Sequence, residues 1–369
     1  MLRDLVRKLS YASGALALYH RARNARTLTV VMFHRVLEES DPRWPGADPG
    51  YTLPVDVFRA CLGFFVRHYQ VVSLEQVLRA RAGTGRLPSR ALLLTFDDGW
   101  ADNVDHALPA LRDAGLPAVM FVVSGAVGRS QPFFQEQLVS AWQRGVLQVG
   151  ELDAALARRD LGQGTDGNGI AELRRLIAAL ETLDKATRDD VLAPFVPVLD
   201  DGLVHMVDVA GLERLDRHGV VLGLHGMTHA PMTRVADLDR ELAGARGQLA
   251  AITGGAPALS MSFPHGAHDP AIAAKAHEAG YELVFTSVPV LNPTAEGPGG
   301  RLGRVGFETG AVVDAKGRFR PDRLAARLFR RPVAALDDSV YPARAHSSSS
   351  ALVRWMSRSR GSWLGGLLQ

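Results

Sequence analysis

The sequence predicts an α/β fold built on parallel strands, and three observations carry that expectation. Residues 92–96, Leu-Leu-Leu-Thr-Phe, form an apolar run of strand length that stops abruptly at Asp97-Asp98-Gly99, as expected of a strand buried on both faces. A helical pattern over 101–114 and a second buried run over 118–123 follow it, and strand-helix-strand order calls for a crossover between parallel neighbours. The same alternation resumes after residue 209 and continues to residue 287.

Taken in order, residues 28–36 (Leu, Val, Val, Met, Phe and Val dominating) read as a strand with His34-Arg35 near its end. A loop rich in Asp, Pro and Gly spans 38–50. Residues 55–68 then place Phe58, Leu62 and Phe65 on one helical face. A short strand is expected over 69–73, where Ser73-Leu74-Glu75-Gln76 offers the capping signal of the next helix. Pro109 is expected to kink the helix after Asp97-Asp98-Gly99, and Gly115-Leu116-Pro117 to close it. Residues 132–208 change character: Ala, Leu, Gln and Arg at helical spacing, broken over 162–169, read as a mostly helical insertion. Helices over 209–218, 237–253 and 270–279 then alternate with strands over 220–224, 259–263 and 283–287. The domain plan is therefore a basic segment over 1–27, a catalytic domain over 28–310 carrying the insertion, and a basic extension over 311–369 with a Ser-rich connector at 346–350.

A net charge of +3 is too weak to argue for nucleic acid. The charge is uneven, however. Arg3, Arg7, Lys8, Arg21, Arg23 and Arg26 face Asp4 alone, and Arg354, Arg358 and Arg360 follow the last acid, Asp338. Contact with an anionic membrane surface is one reading of such ends and simple solvation the plainer one. The single cysteine, Cys61, has no internal partner and reads as a buried thiol. The apolar stretch over 11–19 is short, interrupted by Ser13-Gly14 and lacks a small-residue cleavage site, which argues against a secretory signal. No apolar run is long enough to span a bilayer. A cytoplasmic chain, soluble or membrane-peripheral, is expected.

Chemistry is expected where strands deliver polar residues to the sheet's carboxyl edge. Asp97 and Asp98, side by side, repel each other and call for a cation or a shared proton. His225-Gly226-Met227-Thr228-His229 follows its own strand in the same way, and two histidines four apart suit a divalent transition metal. Alone that pair is weak evidence in a chain with 12 histidines. Together the two turns supply two nitrogens and one oxygen for a metal and leave one carboxylate over as a base.

At this point the sequence resembles the polysaccharide deacetylases that share the NodB homology domain, carbohydrate esterase family four. Residues 95–99, Thr-Phe-Asp-Asp-Gly, match that family's first motif without change. Residues 225–229 match its His-(Ser/Thr)-x-x-His motif, save for Gly226 in place of the hydroxyl residue. Ser262-Phe263-Pro264-His265-Gly266 approximates the third motif, with His265 replacing an aromatic residue and Ser262 replacing an arginine that usually steadies the base. Met32-Phe33-His34-Arg35-Val36 is similar to the acid-bearing segment of members that place it before the acid pair.

The resemblance covers roughly residues 28–310 and implies a distorted (β/α) barrel. It also implies that Asp98, His225 and His229 hold a divalent ion, most simply Zn2+, that Asp97 is the general base and His34 the general acid. The backbone N–H of His265 would hold the developing oxyanion. Arg304, after the last strand, is the candidate for the missing arginine or for a substrate contact. The implied reaction is hydrolysis of an N-acetyl group from an amino sugar in a polysaccharide or its lipid-linked precursor. Deformylation or other deacylation of a lipid-linked amino sugar is a neighbouring reading, and a silent carbohydrate-binding relative a more distant one. Two histidines and a carboxylate also describe an iron oxygenase, but a paired acid and its glycine have no role there. His106 and His268 match no motif position and read as surface or packing residues. Phe133, Phe134 and Trp142 could form a sugar-stacking wall, with helix packing the plainer reading.

Overall fold

The computed structural model describes residues 2–165, 167–294 and 300–336, so the Ser-rich connector and the basic C-terminal cluster lie outside the described residues. Eight strands form a nearly closed barrel: β1 (Thr27–Phe33), β2 (Ala91–Phe96), β3 (Ala118–Val122), β4 (Val220–Leu224), β5 (Ser260–Ser262), β6 (Leu283–Phe285), β7 (Arg301–Leu302) and β8 (Val305–Gly306). They run parallel in chain order from β1 to β7. β8 then pairs back onto β1, Val305 opposite Val31, so that Gly303-Arg304 bridges the seam. The apolar composition of β2 is explained by its place between β1 and β3, where Ala91–Phe96 is buried throughout.

Several elements differ from the sequence expectation for identifiable reasons. The sheet is mixed, because Asn292–Pro293 pairs antiparallel with the start of β1. The strand expected over 28–36 breaks at His34: Arg35–Leu37 leaves the barrel and pairs with Thr52–Pro54. The helix after the acid pair opens with a π-helical turn, Asn103–Ala107, and tightens to α-helix at Leu108–Ala114; Pro109, which cannot donate to the preceding turn, stands just where the wider π-turn ends. The strand expected over 69–73 shrinks to Gln70–Val71. Ser73 and Gln76 do form the reciprocal capping box at the head of Leu74–Arg81. Residues before β1 form two helices, α1 (Leu2–Ala12) and α2 (Ala15–Arg23).

Gly145–Leu199 is a compact unit of its own. Its helices Val149–Ala157 and Ile170–Leu180 bury Leu152, Leu156, Leu173, Leu176, Ile177 and Leu180, and Asp184 caps Lys185–Leu192 through the Thr187 N–H. Among the described residues no helix is long and apolar enough to cross a membrane. Cys61 is buried and free, and burial pushes its thiol pKa well above the ordinary value.

Candidate active site at the carboxyl edge of the barrel

Strands β2 and β4 end side by side across β3, and each is followed by a turn in an uncommon backbone conformation. Asp98 (φ 77°), Gly99 (φ 84°), Gly226 (φ 75°) and His229 (φ 66°) all sit in the left-handed region. Gly226 has a reason to lack a side chain, since a Cβ there would lie 2.9 Å from Met232 Cε and 3.1 Å from Glu241 Oε2. The family's hydroxyl residue at this point would have to displace the Met232 and Glu241 tips and adopt a left-handed backbone, and Thr228 supplies a hydroxyl to the same loop instead.

These turns bring Asp98, His225 and His229 together. Asp98 Oδ1 lies 3.4 Å from His225 Nε2 and 3.2 Å from His229 Nε2, and all three ligand atoms fall within 4.8 Å of one another. Such separations are long for a charge-assisted hydrogen bond. They match the edge of about 3.3 Å that a tetrahedron has when its metal-ligand bonds are those of zinc to nitrogen and oxygen. The imidazole of His225 is already in a ligating form: Nδ1–H donates to the Ser262 carbonyl at 2.9 Å, which leaves the Nε2 lone pair directed at Asp98. Burial, working against the nearby Asp97 and Asp98, lowers its pKa to about 4, so it is neutral near pH 7. Burial also raises the Asp98 pKa, but His229, His34 and His225 outweigh it and hold the carboxyl far below its ordinary value. The donor set therefore fits a divalent metal.

Asp97 points elsewhere. Arg304 grips it through two hydrogen bonds, Nη1–Oδ1 at 2.6 Å and Nη2–Oδ2 at 2.7 Å. The guanidinium also donates to Thr95 Oγ1, Ser262 Oγ and the Thr286 carbonyl. All five of its N–H groups are thus engaged, so Arg304 presents none to a substrate and its contact is with Asp97. Burial pushes the Asp97 pKa up, and Arg304, with His225 and His34, reverses this and holds it below the ordinary carboxylate value. Ser262, which replaces the family's arginine, instead hydrogen-bonds an arginine arriving from the β7–β8 seam.

His34 stands at the break after β1, half-buried, its ring edge-on to Tyr51 with centroids 4.8 Å apart. Its carbonyl accepts from Asn103 Nδ2, and it is close enough to act on both Asp97 and Asp98 electrostatically. His265 (φ 56°) lies with its ring 4.7 Å from that of His229 and its Nε2 3.1 Å from the His229 carbonyl oxygen. Phe133 stacks on His229 at 4.0 Å between centroids, so this aromatic residue packs on a candidate ligand. His106 is paired with Asp41, and His268 is buried flat against Phe263.

Two contributors were not visible as site residues in the sequence. The Trp100 indole N–H donates to Asp98 Oδ2 at 3.0 Å, and Arg35 stacks over the same ring while its Nε donates to buried Asp102. Trp100 directly follows Gly99, so proximity to the acid pair was an available signal. Glu241, buried, accepts from the Met227 and Thr228 N–H groups and from the Thr228 hydroxyl. It fixes the loop between the two histidines, and nothing local marks it.

Comparison with known proteins agrees with this geometry. The family model described as polysaccharide deacetylase matches residues 84–155 and 201–284, a span that contains the acid pair and both histidines. The Bacillus subtilis (strain 168) protein YxkH, whose polysaccharide deacetylase assignment is itself inferred, is 33% identical over 78 residues, 21% of this chain. The match spans 28% of that relative's length. Among solved structures, the Streptococcus pyogenes deacetylase PplD in complex with acetate superposes with a TM-score of 0.52 at 14% identity, covering 82% of this chain and 98% of that one. IcaB from Ammonifex degensii gives a TM-score of 0.51 at 19% identity, covering 82% and 97%. At such identities the likeness is one of fold.

Proposed function

We propose that this chain, whose residues 84–155 and 201–284 match the polysaccharide deacetylase family model, is a member of that family and hydrolyses the N-acetyl group of an amino sugar, carried on a polysaccharide or on its lipid-linked precursor, with a divalent metal, most simply zinc. Residues 28–310 are the catalytic domain in this reading. The observation that supports it is the division of labour between adjacent acids: Asp98 lies with two histidines at ligand spacing, while Asp97 is held apart by Arg304.

A divalent ion in the Asp98–His225–His229 site would polarise the acyl carbonyl and acidify a water beside it. Asp97, kept ionised by Arg304, accepts the proton of the attacking water. The backbone N–H of His265 holds the carbonyl oxygen as it gains charge. An amine leaves poorly until protonated, and His34 delivers that proton to the departing nitrogen. Acetate and the free amino sugar are the products.

Mass spectrometry of N-acetylated and N-formylated amino-sugar oligomers incubated with the zinc-loaded chain tests the proposal. Loss of acetyl groups with stoichiometric acetate is expected, and Asp97→Asn should slow it by about 10²–10⁴-fold while retaining metal. Turnover of N-formyl sugars alone would reassign the acyl group. No turnover of any acylated sugar by the metal-loaded chain would overturn the reading.

A further inference from the structure

Helix α1 is amphipathic, but its apolar face points away from its own domain. Leu2, Leu5, Val6 and Leu9, spaced i, i+3, i+4 and i+7, form one stripe and are 75%, 53%, 53% and 59% exposed. The opposite, polar side is the one that packs. Arg7 Nε donates to Asp322 at 2.7 Å, Asp4 pairs with Arg7, Lys8 and Arg320, and the Tyr11 ring lies against Phe64 and reaches His68. A surface helix ordinarily does the reverse and buries its apolar stripe. Leu18 (69% exposed) and Tyr19 (43%) of α2 add to the exposed apolar surface of the pair.

We propose that the face of α1 carrying Leu2, Leu5, Val6 and Leu9 docks on the surface of an anionic lipid bilayer. Charge selects that occupant. At about 100° per residue, Arg3 and Lys8 fall on the two flanks of the stripe, and both are exposed, where long cationic side chains can reach headgroups while the leucines enter the acyl boundary. Asp4, the acid of α1, is held by Arg7 and Arg320 on the packed side and also pairs with Lys8 at 3.3 Å, whose side chain stays half exposed. A second copy docking face to face would set Arg3 and Lys8 against their own like. The chain's residues 337–369 are a poor cover on the same ground, since they carry Arg344, Arg354, Arg358 and Arg360 against only Asp337 and Asp338.

The place of the helices matters for function. α2 leads within a few residues into the start of β1, and His20 Nε2 contacts the carbonyl of His68, just before Gln70–Val71. The pair therefore sits at the amino ends of the strands, whereas the Asp98–His225–His229 site is at their carboxyl ends. Docking leaves the mouth of the barrel uncovered, so lipid binding and hydrolysis are read independently.

Co-sedimentation of the full chain with vesicles tests this. The chain should pellet with vesicles of mixed phosphatidylcholine and phosphatidylglycerol, release as salt is raised, and stay in solution with phosphatidylcholine alone. Leu5→Glu/Leu9→Glu should lower partitioning by about tenfold or more with unchanged thermal midpoint, and Arg3→Glu/Lys8→Glu should remove the preference for anionic lipid. Removing residues 337–369 should leave binding intact. The proposal is overturned if the parent chain does not pellet, or if it pellets equally with both leucine positions changed. It is also overturned if light scattering shows a dimer that Leu5→Glu/Leu9→Glu dissolves without any lipid binding by the parent chain, or if binding disappears with residues 337–369.

Discussion

Replacing Arg304 by methionine removes the arginine that grips the candidate base, and the structure sets the size of the effect. The side chains of Arg304 and Asp97 are 1% and 3% exposed, and two hydrogen bonds of 2.6 and 2.7 Å join them. A surface pair would contribute about 0–1 kcal/mol. Breaking a buried pair by removing one partner strands a charge in the interior, and the expected loss is about 3–5 kcal/mol. The pH dependence follows from the direction of the shift. Asp97 has a depressed pKa in the folded chain, so the stability it contributes is present above the ordinary carboxylate value of 3.8 and is lost as pH falls through the folded pKa. In Arg304→Met burial loses its strongest opponent, only His225 and His34 still act against it, and the pKa rises. The deficit should therefore be largest at neutral pH and narrow as the solution becomes acid enough to protonate the variant's Asp97. Urea unfolding at a series of pH values measures this, with Asp97→Asn and the double variant closing the cycle. Because Asn needs no cation, the double variant should cost much less than the sum of the singles. A deficit under about 1 kcal/mol at neutral pH, a deficit independent of pH, or additive singles would refute the assignment of Arg304 as the residue that holds Asp97.

Two further outcomes follow from the site. Zinc should bind one per chain and raise the thermal midpoint, as any ligand selective for the folded state does. Asp98→Ala or His229→Ala should abolish both effects, which elemental analysis and calorimetry would check, and a chelator should stop hydrolysis. Glu241→Gln keeps the shape of the side chain but gives up the charge that accepts from Met227 and Thr228. It should weaken zinc binding by about 10–100-fold, as loss of a ligand-orienting partner does, and titration with a competing chelator reads this directly.

The sequence disclosed those parts of the molecule whose cause is local. Residues 92–96 are apolar because β2 is covered on both faces, and the acids follow at once because the chain exits at the sheet edge. The capping box at Ser73 and Gln76 is legible for the same reason: both halves lie within one turn. What failed to show is what depends on contacts across the barrel. The break at His34 comes from Arg35–Leu37 finding a partner in Thr52–Pro54, and no propensity in residues 28–36 announces it. β7 and β8 are two residues each, too short for any periodicity, yet the turn between them carries Arg304. Glu241 serves the histidine loop from 12 positions beyond His229, where it looks like any other helical glutamate.

A last consequence concerns the backbone. Asp98, His229 and His265 are non-glycine residues with positive φ, and that conformation costs an L-residue roughly 1–2 kcal/mol. Three such residues around one pocket mean that the fold spends stability to aim these groups. His265 allows this to be measured, because its side chain can be removed in two ways. His265→Ala and His265→Gly both lose the hydrogen bond to the His229 carbonyl and the ring contact, so both should weaken zinc binding alike. They differ only in a Cβ. In an ordinary helical position glycine is the less stable by about 0.5–1 kcal/mol, but at φ 56° the order should invert, with the glycine variant the more stable by about 1 kcal/mol. Chemical denaturation of the two proteins decides the sign. If alanine is as stable as glycine, the left-handed turn at His265 is not what the chain maintains, and the placement of its backbone N–H toward a substrate oxygen fails with it.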